Sequence, residues 1–297
     1  SSNNTNLKTF GWELELMWKD RLNNGLNYSA RFTLADSRTK ITRYSNPSGL
    51  IDGFYAGKYV GEIWGYETIG IAQSDQEMAE HIGRLINGGQ SNLGQDWKAG
   101  DIMYKDLNED GKIDAGSHTL QDHGDLKRIG NSTPRYNVGL ELAADWKGFD
   151  IRMFWQGTLK RDYFQGSYYF WGANGRQGPW FSTALKGHDD YFRNDEASPL
   201  GTNLNSYYPR PLFNTDKNQQ SQTKYLQDAS YLRLKNLQIG YSLPHNIVQK
   251  MGMQHLRIFA SGENLFTITS LIDFFDPESI EGGSWGPVSY THLTLPT

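Results

Sequence analysis

Apolar and polar residues alternate one by one along several stretches of the chain, and this period of two constrains the fold more than any other feature. In the first stretch, apolar side chains at every second position from Phe10 to Trp18 oppose a set that includes Glu13 and Glu15. Successive side chains of a strand point to opposite faces, so this pattern predicts a strand with one apolar face and one polar face.

The alternation returns in segments that pair as hairpins. Asn23, Asn24 and Gly25 precede the second segment and accept the positive φ angles that tight turns need. Residues 146–148 separate a second pair, and a third pair is connected by residues 244–255, where Pro244 predicts about one helical turn from its place at a first helical position. The predicted strand segments are 10–18, 26–35, 136–145, 149–155, 231–243 and 256–262.

Short and long connections between these segments alternate. Residues 19–25 and 145–148 are short, residues 45–134 and 158–229 are long, and the third hairpin connection is fairly short again. Outer-membrane barrels have short turns at one end and long loops at the other, whereas a soluble sandwich has little reason for such strict alternation. The predicted fold class is therefore all-β, part of a large antiparallel transmembrane β-barrel with long outer loops.

The amino-acid composition is typical of a barrel with a water-filled interior. Aromatic residues make up 13% of the chain, with 9 Trp and 17 Tyr, whereas all hydrophobic residues reach only 37%. Mean hydropathy is −0.66, and no apolar run is long enough for a transmembrane helix. A formal net charge of −4 gives no basic footprint for nucleic acid, and the absence of cysteine excludes cysteine nucleophiles and thiolate metal sites.

One loop motif predicts a calcium site. Residues 106–114 match a D-x-N-x-D-G-x-I-D loop, whose oxygens converge on a hard cation because the glycine permits a sharp turn. Ser117 stands where such loops place an acid, so Asp122 or Asp125 would have to supply the last carboxylate. The alternative is an Asx-rich turn held by its own hydrogen bonds. The candidate ligands within the loop are Asp106, Asn108, Asp110, Lys112 (through its carbonyl) and Asp114.

The second long connection is rich in aromatic rings and glycines. Flat rings on a flexible loop suit stacking against sugar rings, and carboxylates nearby suit hydrogen bonds to hydroxyls. The alternatives are a loop that packs its own aromatic rings and an aromatic belt at a membrane interface. The candidate substrate-binding residues are Tyr168, Trp171, Trp180, Asp189 and Tyr207.

No motif predicts an enzyme. His188-Asp189-Asp190 resembles a fragment of an acid–base site, but adjacent residues in a strand point apart, and solvated charge explains Glu13 and Glu15 on their polar face. The sequence carries no H-E-x-x-H, G-x-S-x-G, Walker A or dinucleotide fingerprint. We therefore expect no enzymatic activity.

Several blocks, in order along residues 9–286, resemble the C-terminal barrel of the SusC/RagA family of TonB-dependent outer-membrane transporters. Because many blocks occur in the family order, the resemblance is specific. The blocks are GDIMYKDLNEDG (100–111), IGNSTPRY (129–136), WKGFD (146–150), FWQG (154–157), YYPR (207–210), YLRLKNLQIGY (231–241), SGENLF (261–266) and FDPE (275–278).

The resemblance implies that residues 1–287 form the C-terminal portion of a barrel of about 22 strands, to which they contribute about six. It implies an importer of glycans or other oligomeric nutrients, including peptides, in the outer membrane of a Gram-negative cell. A SusD-like surface lipoprotein and the TonB complex would be its partners, and TonB would contact an N-terminal part outside this sequence.

Two residue assignments follow from the family pattern. The acid that closes the calcium-like loop maps to Asp125, which makes residues 115–124 an insertion. The polar strand faces would line the lumen. The residues expected there are Glu13, Glu15, Arg31, Asn137, Glu141, Arg152 and Gln156.

The C-terminal residues depart from the family pattern. Family members close with a final aromatic-ended strand, but residues 288–297 read VSYTHLTLPT, which resembles the translation of a transposase sequencing adapter. We therefore expect residues 288–297 to be non-native.

A second hypothesis remains beside the transporter. The aromatic loop and residues 106–114 also fit a soluble, calcium-stabilised β-protein that binds or cleaves carbohydrate. Dependence on detergent separates the two, because a lipid-facing sheet with open edges should aggregate in plain buffer.

Overall fold

The computed structural model describes residues 5–172, 185–213, 215–273 and 275–280, so the adapter-like segment lies outside the described residues. None of the helices in these ranges is long and apolar enough to cross a membrane. The helices are α1 (Asp75–Arg84), α2 (Tyr168–Trp171) and α3 (His245–Lys250), with a 3₁₀ helix at Lys186–Asp189. The strands are β1 (Thr5–Arg21), β2 (Asn27–Tyr44), β3 (Glu62–Tyr66), β4 (Thr68–Ile71), β5 (Ile102–Tyr104), β6 (Leu126–Asn131), β7 (Arg135–Trp146), β8 (Phe149–Lys160), β9 (Asp162–Tyr163), β10 (Gln227–Asp228), β11 (Tyr231–Ser242), β12 (Arg257–Glu263) and β13 (Thr267–Thr269).

The main sheet is antiparallel, with the strand order β1-β2-β7-β8-β11-β12. Strand β13 pairs with Tyr231–Arg233 of β11, and β12 pairs with Asn236–Ser242, so the two form one interrupted edge strand. Asn264 lies between them with a φ of 51°. All three predicted hairpins are present and the all-β fold class is confirmed, although this sheet does not close on itself within the described residues.

The two faces of the main sheet differ as the alternation predicts. Leu16, Phe32, Leu140 and Trp155 lie side by side in register across four strands. Along β1 the apolar face is open, and Leu16 retains 56% of its accessible surface. An exposed apolar face of this extent is typical of a barrel wall that contacts lipid.

Short turns lie at one end of the sheet and long connections at the other. Gly25 (φ 85°), Lys147 (φ 48°) and Gly148 (φ 89°) adopt the left-handed conformation that the two tight turns require. Helix α3 forms most of the third short connection, and Pro244 is its N-cap rather than, as predicted, its first helical residue, which is His245.

The two long connections fold into a compact unit at the loop end of the sheet. They contribute the small sheets β3–β6, β4–β5 and β9–β10. One apolar core combines residues from both connections: Ile51, Tyr66, Leu85, Ile102, Tyr104, Ile113, Leu126, Phe170, Trp171, Tyr208 and Tyr225. The described parts of the two connections are therefore packed together around one core.

The sequence predicts α1, because Ser74 and Glu77 form a capping box; an apolar stripe at helical spacing follows, made of Met78, Ile82, Leu85 and Ile86. The Ser74 hydroxyl accepts a hydrogen bond from the Glu77 backbone N–H at 3.1 Å, which caps the first turn. Met78 is buried, but Ile86 is 83% exposed, so its predicted place in the packed stripe is wrong. The helix ends at Arg84; Leu85, its C-cap, is still buried in the core, whereas Ile86 follows the end of the helix and is exposed.

Candidate functional site

The polar face of the main sheet forms a groove of about 920 Å³. Arg31 lies in it between two acids, with Glu15 at 3.1 Å and Glu141 at 3.7 Å. Arg152 lines the same groove, which adjoins a second groove of about 590 Å³ that Asn137 and Gln156 line. The structure thus brings together these residues of the predicted lumen set.

Glu13 completes the predicted set on this face. It pairs in register with Ala35, which lines the second groove. Arg233 lies farther toward the loop end, 2.7 Å from Asp276 and 2.6 Å from Glu278. Charges of both signs are therefore paired along the face, so no single sign dominates it.

Aromatic rings of the second long connection pack mainly against one another. The ring centroids of Trp171 and Tyr225 are 4.7 Å apart, and the rings of Tyr208 and Tyr225 are nearly parallel at 12°. Phe170 is fully buried beside them. Tyr207 joins the cluster, and its hydroxyl accepts a hydrogen bond from Gln227 Nε2 at 2.7 Å. Packing between rings is thus the main role of these residues in the fold.

The predicted substrate-binding residues occupy different environments. Trp171 is buried, Tyr207 is half-buried and Asp189 is exposed. Trp180 and the Tyr168 side chain lie outside the described part of the chain. Their role in substrate binding therefore stays a prediction.

His188 has a packing role that explains its position beside Asp189. Its Nδ1 accepts a hydrogen bond from the Leu185 backbone N–H at 2.9 Å, so Nε2 carries the proton and donates to the Tyr169 carbonyl at 2.9 Å. Burial lowers the pKa of His188, which keeps the ring neutral. Both ring nitrogens bond to the backbone, so His188 holds residues 169 and 185 of the loop together.

A buried charge network joins the two long connections, and sequence reasoning missed it. Asp101 is fully buried and accepts hydrogen bonds from Arg210 Nε at 2.7 Å, Arg210 Nη2 at 2.8 Å and Asn218 Nδ2 at 2.9 Å. The ammonium of Lys217, which is only 1% exposed, lies 2.9 Å from Asp101 Oδ2. Burial alone would raise the pKa of Asp101, but these donors outweigh burial and hold the pKa below its usual value. Asp101 and Arg210 both belong to the family-like blocks, but nothing in the sequence shows that they meet.

The calcium-like loop has the fold that its motif predicts. Asp106 Oδ2 accepts the Gly111 backbone N–H at 2.8 Å, and Gly111 has the positive φ (82°) of the sharp turn. Asn108 and Asp110 accept backbone N–H bonds within the loop at 3.2 Å and 3.1 Å, as an Asx-rich turn does. Asp106 Oδ1 is buried and has no hydrogen-bond partner.

The two candidates for the closing acid differ in position. Asp125 is fully buried at the loop and accepts the backbone N–H groups of Leu107 at 2.7 Å and Asp114 at 2.9 Å. Asp122 instead accepts the Ser117 backbone N–H at 2.9 Å. Burial and the nearby acids of the loop raise the pKa of Asp125, because a second negative charge there is unfavourable.

Other features of the loop favour the hydrogen-bonded turn. The Lys112 ammonium lies 2.5 Å from Asp114, where it partly neutralises the acids. Within the described ranges, no group of three or more His, Asp or Glu side chains is arranged to hold a metal ion. Asp106 Oδ1 is therefore the one observation at this loop that favours a cation.

Sequence comparison finds relatives among TonB-dependent receptors. No family model matches the chain. It is 27% identical over 276 residues to the TonB-dependent receptor P3 of Formosa agariphila, which covers 89% of this chain and 24% of that protein. It is 21% identical over 318 residues to the TonB-dependent receptor P39 of the same organism, which covers 96% of this chain and 29% of that protein. The chain thus spans about a quarter of the length of these relatives.

Solved structures show the same fold. A structure of the RagAB peptide transporter matches 94% of this chain and 27% of its own, with a TM-score of 0.61 and 20% identity. The RagAB peptide importer in its open-open state matches 92% of this chain and 26% of its own, with a TM-score of 0.56 and 21% identity. The resemblance to SusC/RagA proteins is confirmed, as is the fold class of a barrel portion with long loops.

Proposed function

We propose that the chain belongs to a TonB-dependent importer of glycans or other oligomeric nutrients in the outer membrane of a Gram-negative cell. The observation that carries this proposal is the main sheet, which has an exposed apolar face on one side and a grooved polar face on the other. A wall of this kind separates lipid from a wet lumen. The relatives, all TonB-dependent receptors, support the same assignment.

The proposed partners are a SusD-like surface lipoprotein and the TonB complex. Support comes from the sequence blocks shared with the SusC/RagA family and from the fold shared with RagAB. The long connections, whose described parts share one core at one end of the sheet, would offer a surface for a lipoprotein lid. No step in this function requires chemistry on the substrate, so we propose passive recognition followed by transport.

Uptake should depend on both this protein and TonB. We expect a strain that lacks the gene to lose uptake of one fluorescently labelled oligosaccharide or peptide, and a strain that lacks TonB to lose it equally. Uptake would be measured by cell fluorescence over a panel of such oligomers, with the gene restored in trans as the control. Uptake that survives loss of TonB, together with protein in the soluble fraction, would instead favour the soluble carbohydrate-binding protein.

We also propose that calcium binds the loop at residues 106–114 as a structural ion. Asp106 Oδ1, Asp110 and the Lys112 carbonyl would hold it, with Asn108, Asp114 and Asp125 around them. The support is the buried, unpartnered Asp106 Oδ1, because a hard cation prefers such oxygens. The Lys112 ammonium would then move away from Asp114.

Calcium should raise the melting temperature of the detergent-purified protein. At a concentration a hundredfold above the dissociation constant, a bound ion adds about 2.7 kcal/mol to the free energy of unfolding. Asp106→Asn should remove this effect, while Asp122→Asn, which changes an acid engaged with Ser117, should keep it. A calcium response that is absent in the wild type or equal in both variants would contradict the proposal and identify a plain Asx-rich turn.

A further inference from the structure

Three basic side chains lie together on the main sheet, just beyond its apolar face at the loop end. Lys8 of β1 is in register with Lys40 of β2, and Phe10 is in register with Arg38. Residues directly opposite each other in an antiparallel pair, and residues two apart on one strand, point to the same face. Lys8, Arg38 and Lys40 therefore share the face of Phe10, and we call these three residues the basic patch.

The residues between these cations lie on the other face of the sheet. Thr9 and Thr39 are in register, and their hydroxyls form a hydrogen bond at 2.8 Å. Thr9 shares the polar face with Glu13, because the two are an even number of residues apart on β1. Lys8 is two residues from Phe10, about 7 Å along the strand. The basic patch therefore borders the apolar face on the side of the long connections.

One aromatic ring holds two of the cations at this place. Tyr59 pairs with Lys40 in an isolated antiparallel bridge. Its ring centroid is 5.4 Å from the Arg38 guanidinium carbon and 5.5 Å from Lys40 Nζ. The Phe10 ring meets the Tyr59 ring edge-on, with centroids 6.5 Å apart. Contact with a ring orients a cation but leaves its charge in place, and cations beside aromatic rings are typical of a membrane interface.

The charge of the basic patch is not balanced by acids of the described ranges. None of its three cations forms an ion pair there. Asp36, the acid nearest to it along β2, accepts hydrogen bonds from Arg135 through both oxygens. Glu62 follows Tyr59 in the chain, but it accepts the Tyr55 hydroxyl at 2.7 Å and the Tyr59 backbone N–H at 3.0 Å. The patch therefore keeps a net positive charge.

Two of the cations also repel each other. Lys8 and Lys40 are directly opposite, and like charges in such a pair are destabilising. Arg38 is two residues from Lys40 on the same face, so all three lie within reach of one anion. A phosphate group offers several oxygens at once, and lysine and arginine are the side chains that bind phosphate. An anion of this kind would relieve the repulsion.

We propose that the basic patch binds the phosphate groups of lipid A in the outer leaflet of the outer membrane. The acyl chains would lie along the apolar face that begins at Phe10, with the phosphates at the level of Lys8 and Lys40. This continuity with an exposed apolar face favours a lipid over free phosphate. The inference rests on the proposed function for its location in the outer membrane, but not on the identity of the cargo.

Lys40→Gln tests the basic patch. The full-length protein that contains this chain would be purified in detergent and titrated with bisphosphorylated lipid A, and bound lipid would be counted by native mass spectrometry. We expect the wild type to bind lipid A and Lys40→Gln to bind it about fivefold more weakly, because one basic residue at a lipid surface contributes about this factor. The lipid-free variant should melt no lower than the wild type, since it loses a like-charge pair.

Lys147→Gln is the matched control. Lys147 Nζ also lies over an aromatic ring, 4.5 Å from the Trp146 centroid, but it is in the tight turn between β7 and β8 at the other end of the sheet. We expect this variant to bind lipid A as the wild type does, and Lys40→Arg, which keeps the charge, to do the same. If Lys40→Gln folds poorly, Lys8→Gln on the neighbouring strand must weaken binding in its place.

Two further probes identify the group that is bound. Lipid A without its phosphates should bind at least about fivefold more weakly, and inorganic phosphate at the same concentration should not displace lipid A. Equal binding of the dephosphorylated lipid, equal binding by Lys40→Gln, or no binding of lipid A would overturn the inference. Displacement by inorganic phosphate would show a site for a free anion instead. Failure of the proposed function is distinguishable, because the protein would then occur in the soluble fraction, whereas failure of this inference leaves it in the outer membrane without bound lipid A.

Discussion

Leu16→Arg is expected to destabilise the folded protein by about 2 to 4 kcal/mol, the usual cost of arginine at the lipid-facing midplane of a barrel. Leu16 lies on the apolar face of β1, between Leu14 and Trp18 on that face, with more than half of its surface exposed. Its neighbours in register continue the apolar row across the sheet. In lipid an arginine at this place must lose its hydration, whereas in water it would cost little.

Urea unfolding of the protein in phospholipid vesicles measures this effect. Glu13→Arg is the matched control, because it places the same side chain on the same strand but on the polar face, opposite Ala35. We expect the control to change the free energy of unfolding much less than Leu16→Arg. If both variants are equally stable, and Leu16→Arg is a cooperative monomer in plain buffer, the apolar face does not contact lipid.

Local patterns explain which parts of this fold could be predicted from the sequence. Alternation places the strands of the main sheet, because each residue's face follows from its position in the chain. Turn residues such as Gly25 fix the short connections, and Ser74 fixes the start of α1. Each of these features depends on side chains within a few residues of one another.

The folded long loops could not be predicted in the same way. Their core joins residues more than a hundred positions apart, as where Thr68 donates a hydrogen bond to Gln222 at 2.9 Å. No periodic pattern encodes such a contact. The aromatic composition of the second long connection makes Trp171 a candidate site residue. That the Tyr208 hydroxyl has no hydrogen-bond partner depends on three-dimensional packing alone.

Asp101→Ala should have the largest effect in the loops. It leaves the ammonium of Lys217 buried without its carboxylate and removes the acceptor of Arg210 and Asn218. Breaking a buried ion pair from one side costs about 3 to 5 kcal/mol. We expect faster hydrogen exchange and faster proteolysis in residues 94–104 and 206–225, with the main sheet unchanged. Protection equal to the wild type in both segments would contradict this role for Asp101.

A matched control and a pH series show how much of the stabilisation by Asp101 depends on its burial and how much on its charge. Glu67 also accepts hydrogen bonds from two lysines, Lys105 at 3.0 Å and Lys127, but these side chains are partly exposed. Glu67→Ala should therefore cost at most about 1 kcal/mol. The pKa of Asp101 is held below its usual 3.8 in the folded protein, so its stabilisation is complete above that pH and is lost as the pH falls through the folded value. The difference in stability between wild type and Asp101→Ala should consequently stay constant down to about pH 4 and shrink only at lower pH.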